Sequence, residues 1–302
     1  MRLATRGSAL ARWQASYVAD RIRVAAPGTD VELVVVETTG DRRQDRPVWE
    51  LGGQGVFVKE VQAAVLDGRA DAAVHSAKDL PSTTAPGLEL AAVPVRADPR
   101  DVLIGGTLDG LGPGAPVATG SVRRRAQLAW IRPDLTFTSL RGNIATRLER
   151  IPPGGAIVMA AAALERLGLD PPVCEILAPS VMLPQVAQGA IAVECRSDDR
   201  GTRRLLESID DDAVRACVTA ERAYLGRLGG GCDLPVGAHA VVDGAGELRV
   251  DALLASLDGR IMLRATGRGP RADAALLGSG LAEQILETGG RAVLAEAGTA
   301  LP

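Results

Sequence analysis

Residues 2–22, RLATRGSALARWQASYVADRI, combine a short apolar strand, a tight glycine turn and an amphipathic helix. Ser8 is the expected N-cap of this helix, because a serine hydroxyl accepts a hydrogen bond from the first helical turn. The apolar positions follow helical spacing, at Leu10, Trp13, Tyr17 or Val18, and Ile22. Ala118-Thr119-Gly120-Ser121 repeats the order of strand, turn and serine cap further along the chain. The repeat predicts two related units of alternating strands and helices.

Outward from these two segments, short apolar runs and amphipathic stretches continue to alternate, which is typical of an α/β fold. The apolar runs predict further strands at residues 31–37, 71–75, 135–139, 157–159 and 190–195, and the first of these is expected to be buried. It predicts further helices at residues 58–66, 143–150 and 161–167. Residues 38–55 are rich in glycine and charge without periodicity, and they are expected to form a long loop, of a length typical of functional lids or of disordered segments.

A chain of 302 residues is long enough for two or three domains. We predict that domain 1 comprises residues 1–95 and 190–210, because the strand at 190–195 is expected to rejoin the first sheet. Domain 2 is predicted at residues 99–186. From residue 212 onward a long helix, three strands and further helices predict a small α+β domain 3 at residues 212–302.

The composition excludes several classes of protein. A formal net charge of −3 and only seven aromatic residues disfavour nucleic-acid binding. The longest apolar run has nine residues, 156–164, well short of the ~18 that a membrane span needs. Charged residues and a glycine interrupt residues 1–7 before a signal-peptide core could form. We therefore expect a cytoplasmic protein without a membrane partner.

Residues 121–150 are strongly basic. They hold seven arginines against Asp134 and Glu149, a local net charge of +5. Arg123 and Arg124 fall in the first turn of a predicted helix, where positive charge opposes the helix dipole. Because guanidinium groups bind carboxylates and phosphates bidentately, an anion-binding site is the favoured interpretation. A solvated basic face is the alternative.

Polar and titratable side chains also follow the strand predicted at residues 71–75. His75, Lys78 and Asp79 come at its end, where a sheet edge commonly binds a ligand. An ordinary surface pair of Lys78 and Asp79 is the alternative.

The four cysteines match neither a metal clip nor a disulfide framework, and the two histidines lie 164 residues apart, so no metal site is expected. Cys174, Cys195 and Cys217 are expected to be buried thiols. Cys232 follows three glycines, which predicts an accessible and modifiable thiol; a buried loop cysteine is the alternative.

Motifs spread over residues 5–239 together resemble the porphobilinogen deaminase family, also called the hydroxymethylbilane synthase family. They occur in this order: Thr5-Arg6-Gly7-Ser8, Thr38-Thr39-Gly40-Asp41, Gly52-Gly53-Gln54-Gly55 with Val56-Phe57-Val58-Lys59-Glu60, Val74-His75-Ser76-Ala77-Lys78-Asp79-Leu80-Pro81, Asp98-Pro99-Arg100-Asp101, Gly120-Ser121-Val122-Arg123-Arg124, Leu140-Arg141-Gly142-Asn143-Ile144, Leu183-Pro184-Gln185-Val186-Ala187-Gln188-Gly189, Glu221-Arg222-Ala223 and Gly230-Gly231-Cys232.

The resemblance implies two periplasmic-binding-protein-like α/β lobes with a cleft between them, plus a small α+β C-terminal domain. It implies a transferase of tetrapyrrole and heme biosynthesis that joins four porphobilinogen molecules stepwise, with loss of ammonia, to a dipyrromethane cofactor. The linear tetrapyrrole hydroxymethylbilane is then released by hydrolysis. A monomer without a nucleic-acid partner is expected.

The resemblance also assigns roles to individual residues. Asp79 corresponds to the catalytic aspartate, which stabilises the cationic azafulvene-like species formed when ammonia leaves. Cofactor binding falls to Cys232, through a thioether, and to Lys78, Ser121, Arg123 and Arg124. Substrate binding falls to Arg6, Ser8, Gln14, Arg141, Arg147, Arg166 and Gln188. Gln54 replaces a lysine common in the family, and any role of that lysine would shift to Lys59.

Two other functions remain open from the residues alone. A two-lobed protein that binds a small anion without catalysis would carry no covalent group on Cys232. A nucleic-acid-binding protein that uses the arginines of residues 121–150 would bind with steep salt dependence.

Overall fold

The computed structural model describes residues 1–42, 55–229 and 234–300. In chain order the strands are β1 (Arg2–Arg6), β2 (Glu32–Val36), β3 (Ala72–Ser76), β4 (Leu88–Ala92), β5 (Asp101–Ile104), β6 (Pro116–Ala118), β7 (Thr136–Thr138), β8 (Ala156–Ala160), β9 (Cys174–Leu177), β10 (Ile191–Arg196), β11 (Val236–Val242), β12 (Glu247–Ala255) and β13 (Met262–Pro270). The α-helices are α1 (Ala9–Ala25), α2 (Thr39–Arg42), α3 (Lys59–Leu66), α4 (Val122–Ile131), α5 (Ile144–Leu148), α6 (Ala161–Leu167), α7 (Arg200–Glu207), α8 (Asp212–Arg227), α9 (Ala274–Ile285) and α10 (Arg291–Ala300).

The chain forms two compact units, one of residues 1–97 and 189–215 and the other of residues 98–188 and 216–302. The division into three domains, at residues 1–95 with 190–210, 99–186 and 212–302, stays a prediction. The first unit contains a five-stranded sheet in the order β2-β1-β3-β10-β4. In this sheet β1 is parallel to β2 and β3, whereas β10 is antiparallel to β3 and β4. The prediction that residues 190–195 rejoin the first sheet is confirmed.

Alternate residues of β1 pack on opposite faces of this sheet. Leu3 belongs to the apolar cluster that includes Val18 and Ile22 of α1, whereas Ala4 belongs to the cluster that includes Val61 of α3. The sheet is therefore covered by a helix on each side, as expected for parallel strands. The strand predicted at residues 31–37 is present as β2, but its predicted burial is wrong: β2 lies at the sheet edge, and Val35 is 52% exposed.

The second unit repeats this arrangement in a sheet of order β7-β6-β8-β5-β9. Here β6 is parallel to β7 and β8, whereas β5 is antiparallel to β8 and β9. Each strand therefore has a counterpart of the same position and direction in the first sheet. The predicted repeat has a structural basis, because β1 leads to α1 and β6 leads to α4 in the same way. Both serine caps are present: Ser8 accepts from the Ala11 amide and Ser121 from the Arg124 amide.

The rest of the second unit is an α+β structure. Strands β11, β12 and β13 form an antiparallel sheet, and α9 packs against it and against α8. The approach of the two helices is close, because a Cβ added to Gly278 of α9 would lie 2.0 Å from the Ala220 carbonyl oxygen of α8. The predicted fold class, α/β with two lobes and a small α+β C-terminal part, is confirmed.

Two of the three cysteines expected to be buried are so. Cys195 lies inside the first sheet and Cys217 on the inner side of α8. The prediction is wrong for Cys174, which is exposed because β9 is an edge strand. Cys232 lies outside the described residues.

Candidate active site

The site residues predicted in the first unit lie at one edge of its sheet. Strands β1 and β3 are parallel neighbours, so their carboxyl ends meet at the same edge, where open α/β sheets bind ligands. Arg6 ends β1 and Ser8 caps the following helix. Lys78 and Asp79 lie in the short 3₁₀ turn Ala77–Asp79 that directly follows β3.

Arg6 is held in place by an anion and an aromatic ring. Its Nε and Nη2 atoms donate to the two carboxylate oxygens of Asp41, at 3.2 and 2.5 Å, and its guanidinium lies 4.1 Å from the centre of the Phe57 ring. Thr38 also donates to Asp41, at 2.7 Å. Burial raises the pKa of the Asp41 carboxyl, but the bonds from Arg6 and Thr38 lower it below the usual value.

Gln14 is buried on the inner face of α1. Its side-chain amide donates to the hydroxyl of Ser76, at 2.9 Å, where β3 ends. Gln14 therefore links α1 to the residue that precedes the Lys78–Asp79 turn, and it fixes the start of that turn.

His75 does not join this edge, contrary to expectation. Neighbouring strand residues point to opposite faces; Ser76 points toward α1 and His75 toward α3. The His75 Nε2 atom lies 3.3 Å from Glu194 Oε2, which also accepts from Gln62 of α3 at 2.8 Å. His75 thus belongs to a buried polar cluster beneath α3.

Asp79 differs from every acidic residue described above. Its side chain is half-buried, and within the described part of the chain its carboxylate makes no hydrogen bond and no ion pair. Asp41, by contrast, is bound bidentately by Arg6. A carboxylate that is kept without a partner at a sheet edge can stabilise a positive charge that arrives from outside the protein.

The predicted residues of the second unit occupy the equivalent edge. Ser121 follows β6, Arg141 follows β7, and Arg166 lies on α6, which follows β8. At the turn after β7, Gly142 adopts a φ of 111°, and a Cβ there would lie 2.9 Å from Thr146 Cγ2. The Gly142 carbonyl accepts from Arg147 Nε at 2.8 Å, which places Arg147 next to this turn.

Arg123 and Arg124 are buried and share one carboxylate. Arg124 donates to Asp101 Oδ1 from Nε at 3.0 Å and from Nη2 at 2.8 Å, and Arg123 Nη2 lies 2.8 Å from Asp101 Oδ2. Burial raises the pKa of the Asp101 carboxyl, but the charges of the two arginines lower it below the usual value. Asp101 thus supplies one negative charge between two cations in the first turn of α4 and offsets one of them.

Gln188 is fully buried and contacts the same aspartate. Its side-chain amide donates to the Pro99 carbonyl at 2.7 Å and to Asp101 Oδ1 at 3.0 Å. The residue before it, Ala187, has a φ of 58°, and its amide donates to the buried carboxylate of Glu221 at 2.6 Å. That bond stabilises a backbone conformation which alanine rarely adopts.

Several residues of this environment were not predicted as site residues. Asp41, Phe57, Asp101 and Glu221 each contact a predicted residue or its neighbour. All four lie within the motifs that carry the family resemblance, and membership of those motifs is the sequence signal that could have identified them. Cys232 and Gln54 lie outside the described residues. Among the described residues, no group of three or more His, Cys, Asp and Glu side chains could hold a metal ion, and no helix has the length and hydropathy to cross a membrane.

The first unit places the Asp79 carboxylate, without a hydrogen bond or ion pair among the described residues, at its sheet edge, and the second unit places several arginines at its own sheet edge. Arginines and a carboxylate of this kind are typical of an α/β enzyme that acts on carboxylate-bearing substrates. Comparisons with known proteins make this specific. The family model described as "Porphobilinogen deaminase, dipyromethane cofactor binding domain" matches residues 1–204, and the model of the C-terminal domain of porphobilinogen deaminase matches residues 215–287. The chain belongs to the porphobilinogen deaminase family.

Two curated relatives support this assignment over almost their whole length. Porphobilinogen deaminase of Roseiflexus castenholzii is 49% identical over 298 residues, which covers 97% of this chain and 98% of the relative. Porphobilinogen deaminase of Roseiflexus sp. strain RS-1 has the same identity and coverage. The chain is accordingly an enzyme of tetrapyrrole biosynthesis with a dipyrromethane cofactor, and a binding protein without catalysis is not favoured.

Proposed function

We propose that this chain condenses four porphobilinogen molecules stepwise, with loss of ammonia, onto a dipyrromethane primer bound through Cys232, and releases hydroxymethylbilane by hydrolysis. The observation that supports this most directly is the Asp79 carboxylate at the carboxyl end of β3, which has no hydrogen bond or ion pair to any residue that the structure describes. The monomeric state and the cytoplasmic location stay predictions.

The residues of the second unit fit a group that bears carboxylates. Arg123 and Arg124 each pair with the carboxylate of Asp101, and guanidinium groups bind carboxylates in general, which supports assigning them to a carboxylate-bearing group. Arg123 Nε is buried and makes no hydrogen bond to another described residue. Ser121, Arg123 and Arg124 would hold acetate and propionate groups of the cofactor, and the Cys232 sulfur would tether it. When bound, the cofactor supplies the nucleophilic pyrrole carbon.

The substrate's own carboxylates require further cations. Arg6 and Ser8 on the first sheet edge, and Arg141, Arg147 and Arg166 on the second, would bind them. Gln14 and Gln188 are buried, so we assign them an indirect role. Gln14 fixes Ser76 next to the Lys78–Asp79 turn, and Gln188 holds Asp101.

Asp79 would act on the reacting pyrrole. Positive charge develops on the porphobilinogen ring as ammonia leaves, and a nearby carboxylate stabilises it. The same carboxylate can accept a hydrogen bond from the pyrrole N–H and so orient the ring. Asp79 suits this role because, within residues 1–42, 55–229 and 234–300, its carboxylate has no hydrogen bond or ion pair that would have to break first.

The test measures both chemistry and attachment. Purified protein is incubated with porphobilinogen, and ammonia release and tetrapyrrole formation are measured. Intact mass under denaturing conditions is expected to exceed the sequence mass by two linked pyrroles. Cys232→Ser should remove both the extra mass and the activity, whereas Cys174→Ser, at an exposed cysteine, should retain both. Full activity and extra mass in Cys232→Ser would refute the attachment site, and an unmodified, inactive wild type would refute the proposed function.

A further inference from the structure

The second unit contains a buried cluster of charges, and the cofactor-binding role proposed for its two arginines does not by itself explain the buried aspartate between them. Asp101 is 0% exposed, Arg123 3% and Arg124 7%. Two cations and one anion leave this cluster with one uncompensated positive charge. Burying charge is costly unless the groups are paired and bonded, so the arrangement of the cluster requires a function or a partner.

Asp101 fixes the orientation of both guanidinium groups. Each of its oxygens contacts a different arginine, with Oδ1 bound to Arg124 and Oδ2 next to Arg123. Each arginine is held at a second point by a backbone carbonyl: Arg124 Nη1 donates to Val158 at 2.9 Å and Arg123 Nη1 to Leu183 at 2.6 Å. Two like charges are thereby kept side by side in defined orientations.

Asp101 is itself held from the other side. Gln188 donates to Oδ1 at 3.0 Å, and its own backbone follows Ala187, whose amide is bound by Glu221. Asp101 also begins β5, where it is paired with Ala160 of β8 and Leu177 of β9. Neither the side chain nor the backbone of Asp101 can shift without breaking several bonds.

We infer that Asp101 is a positioning residue, which aligns Arg123 and Arg124 for the carboxylates of the covalently bound cofactor and leaves one positive charge for them. This inference rests on the proposed function. Without Asp101 the two guanidinium groups repel each other and lose their common anchor, so their spacing no longer matches a carboxylate-bearing ligand. Asp101 contacts neither cofactor nor substrate in this role.

The experiment compares Asp101→Asn with Leu177→Ala. Leu177 is buried and lies directly opposite Asp101 in β9, so its truncation weakens the same part of the sheet without touching the charged cluster. Protein purified from producing cells is analysed by intact mass under denaturing conditions for the ratio of cofactor-loaded to unloaded chains. Thermal unfolding is measured in parallel, so that loading is compared at similar losses of stability.

For Asp101→Asn we expect the ratio of loaded to unloaded protein to fall by about tenfold or more. Leu177→Ala should retain the wild-type ratio despite its lower melting temperature. Equal loading of the two variants at matched stability would overturn the inference while the proposed function stands. Wild-type protein that carries no pyrrole mass would instead refute the proposed function, and the inference with it.

A second variant covers the case in which Asp101→Asn folds poorly. The change Asp101→Glu keeps a carboxylate and the net charge of the cluster, and it displaces that carboxylate by one methylene group. We expect it to recover both stability and part of the loading. Recovery of stability without any recovery of loading would contradict the positioning role.

Discussion

The change Asp79→Asn should separate activity from stability. Asparagine has nearly the same shape, and the Asp79 carboxylate has no hydrogen bond or ion pair to lose among the described residues. The free energy of unfolding should therefore change by less than about 0.5 kcal/mol. Removal of the charge that stabilises the developing cation should lower kcat by roughly 10²- to 10⁴-fold, or about 3 to 5 kcal/mol in the activation barrier.

Asp71→Asn provides the matched control in the same unit. Asp71 accepts from the Arg2 amide at 2.7 Å and from Arg2 Nη2 at 2.8 Å, just before β3. Loss of these bonds should cost about 1 to 2 kcal/mol of stability and leave kcat unchanged, since Asp71 lies at the opposite end of β3 from Asp79.

The assay for both variants is ammonia release from porphobilinogen at saturating substrate, with urea unfolding followed on the same preparations. Cofactor loading is checked by mass, so that kcat refers to loaded enzyme. An Asp79→Asn enzyme that retains kcat within threefold of wild type would refute the assigned role. A loss of stability above about 2 kcal/mol would show that the carboxylate makes a stabilising bond beyond those of the described residues and would contradict this prediction.

Three further predictions follow from individual contacts. Gly278→Ala should lower the free energy of unfolding by about 1 to 3 kcal/mol, because the added methyl group collides with the backbone of α8. The measurement is a urea titration, and an unchanged unfolding midpoint would contradict the close packing of the two helices. Burial raises the pKa of Asp41, but its bond to Arg6 lowers that pKa below the usual 3.8 in the folded protein. The ion pair of Asp41 and Arg6 therefore stabilises the fold fully above pH 3.8. This contribution is lost as the pH falls through the lower pKa of the folded protein. The difference in unfolding free energy between wild type and Asp41→Asn should then be constant from about pH 8 to about pH 5 and vanish in stronger acid; a difference that already shrinks near neutral pH would contradict it. Burial, with the charge of Glu89, raises the pKa of Cys195 to about 11, so iodoacetamide near neutral pH should label Cys174 long before Cys195 in peptide mass mapping, and equal rates would refute the burial.

The elements with strong local signals were predictable from the sequence. Both serine-capped helices, α1 and α4, start where predicted, and residues 161–167 form the expected helix α6. These segments combine a cap or a strand end with helical spacing, and such signals depend only on neighbouring residues. Strand β10 was also predicted, at residues 190–195, and its predicted return to the first sheet is confirmed, although no local signal specifies which sheet a strand joins.

Elements that depend on distant partners were not predictable in this way. Strands β4, β5 and β9 were not predicted, since each is only four or five residues long and pairs with segments far away in the chain. The burial of β2 was overestimated because its valines indicate a strand but not its position at the sheet edge.

The arginine-rich site shows the same limit. Local sequence indicated that Arg123 and Arg124 oppose the dipole of α4, and a ligand was the suggested compensation. The structure provides a different compensation in Asp101, which is 22 residues away in sequence and fully buried. Nothing in the neighbourhood of either arginine could have identified that partner, because ion pairing across a sheet is set by strand order.

The strand order of the first sheet also constrains how the chain is made. β4 is joined to that sheet through β10 alone, and β10 is translated about 100 residues later. At a ribosomal speed of about 5 to 20 residues per second, the nascent β4 waits roughly 5 to 20 s for its neighbour. During this interval the backbone of β4 has no neighbouring strand, so the amide and carbonyl groups that later bond to β10 must be satisfied by water.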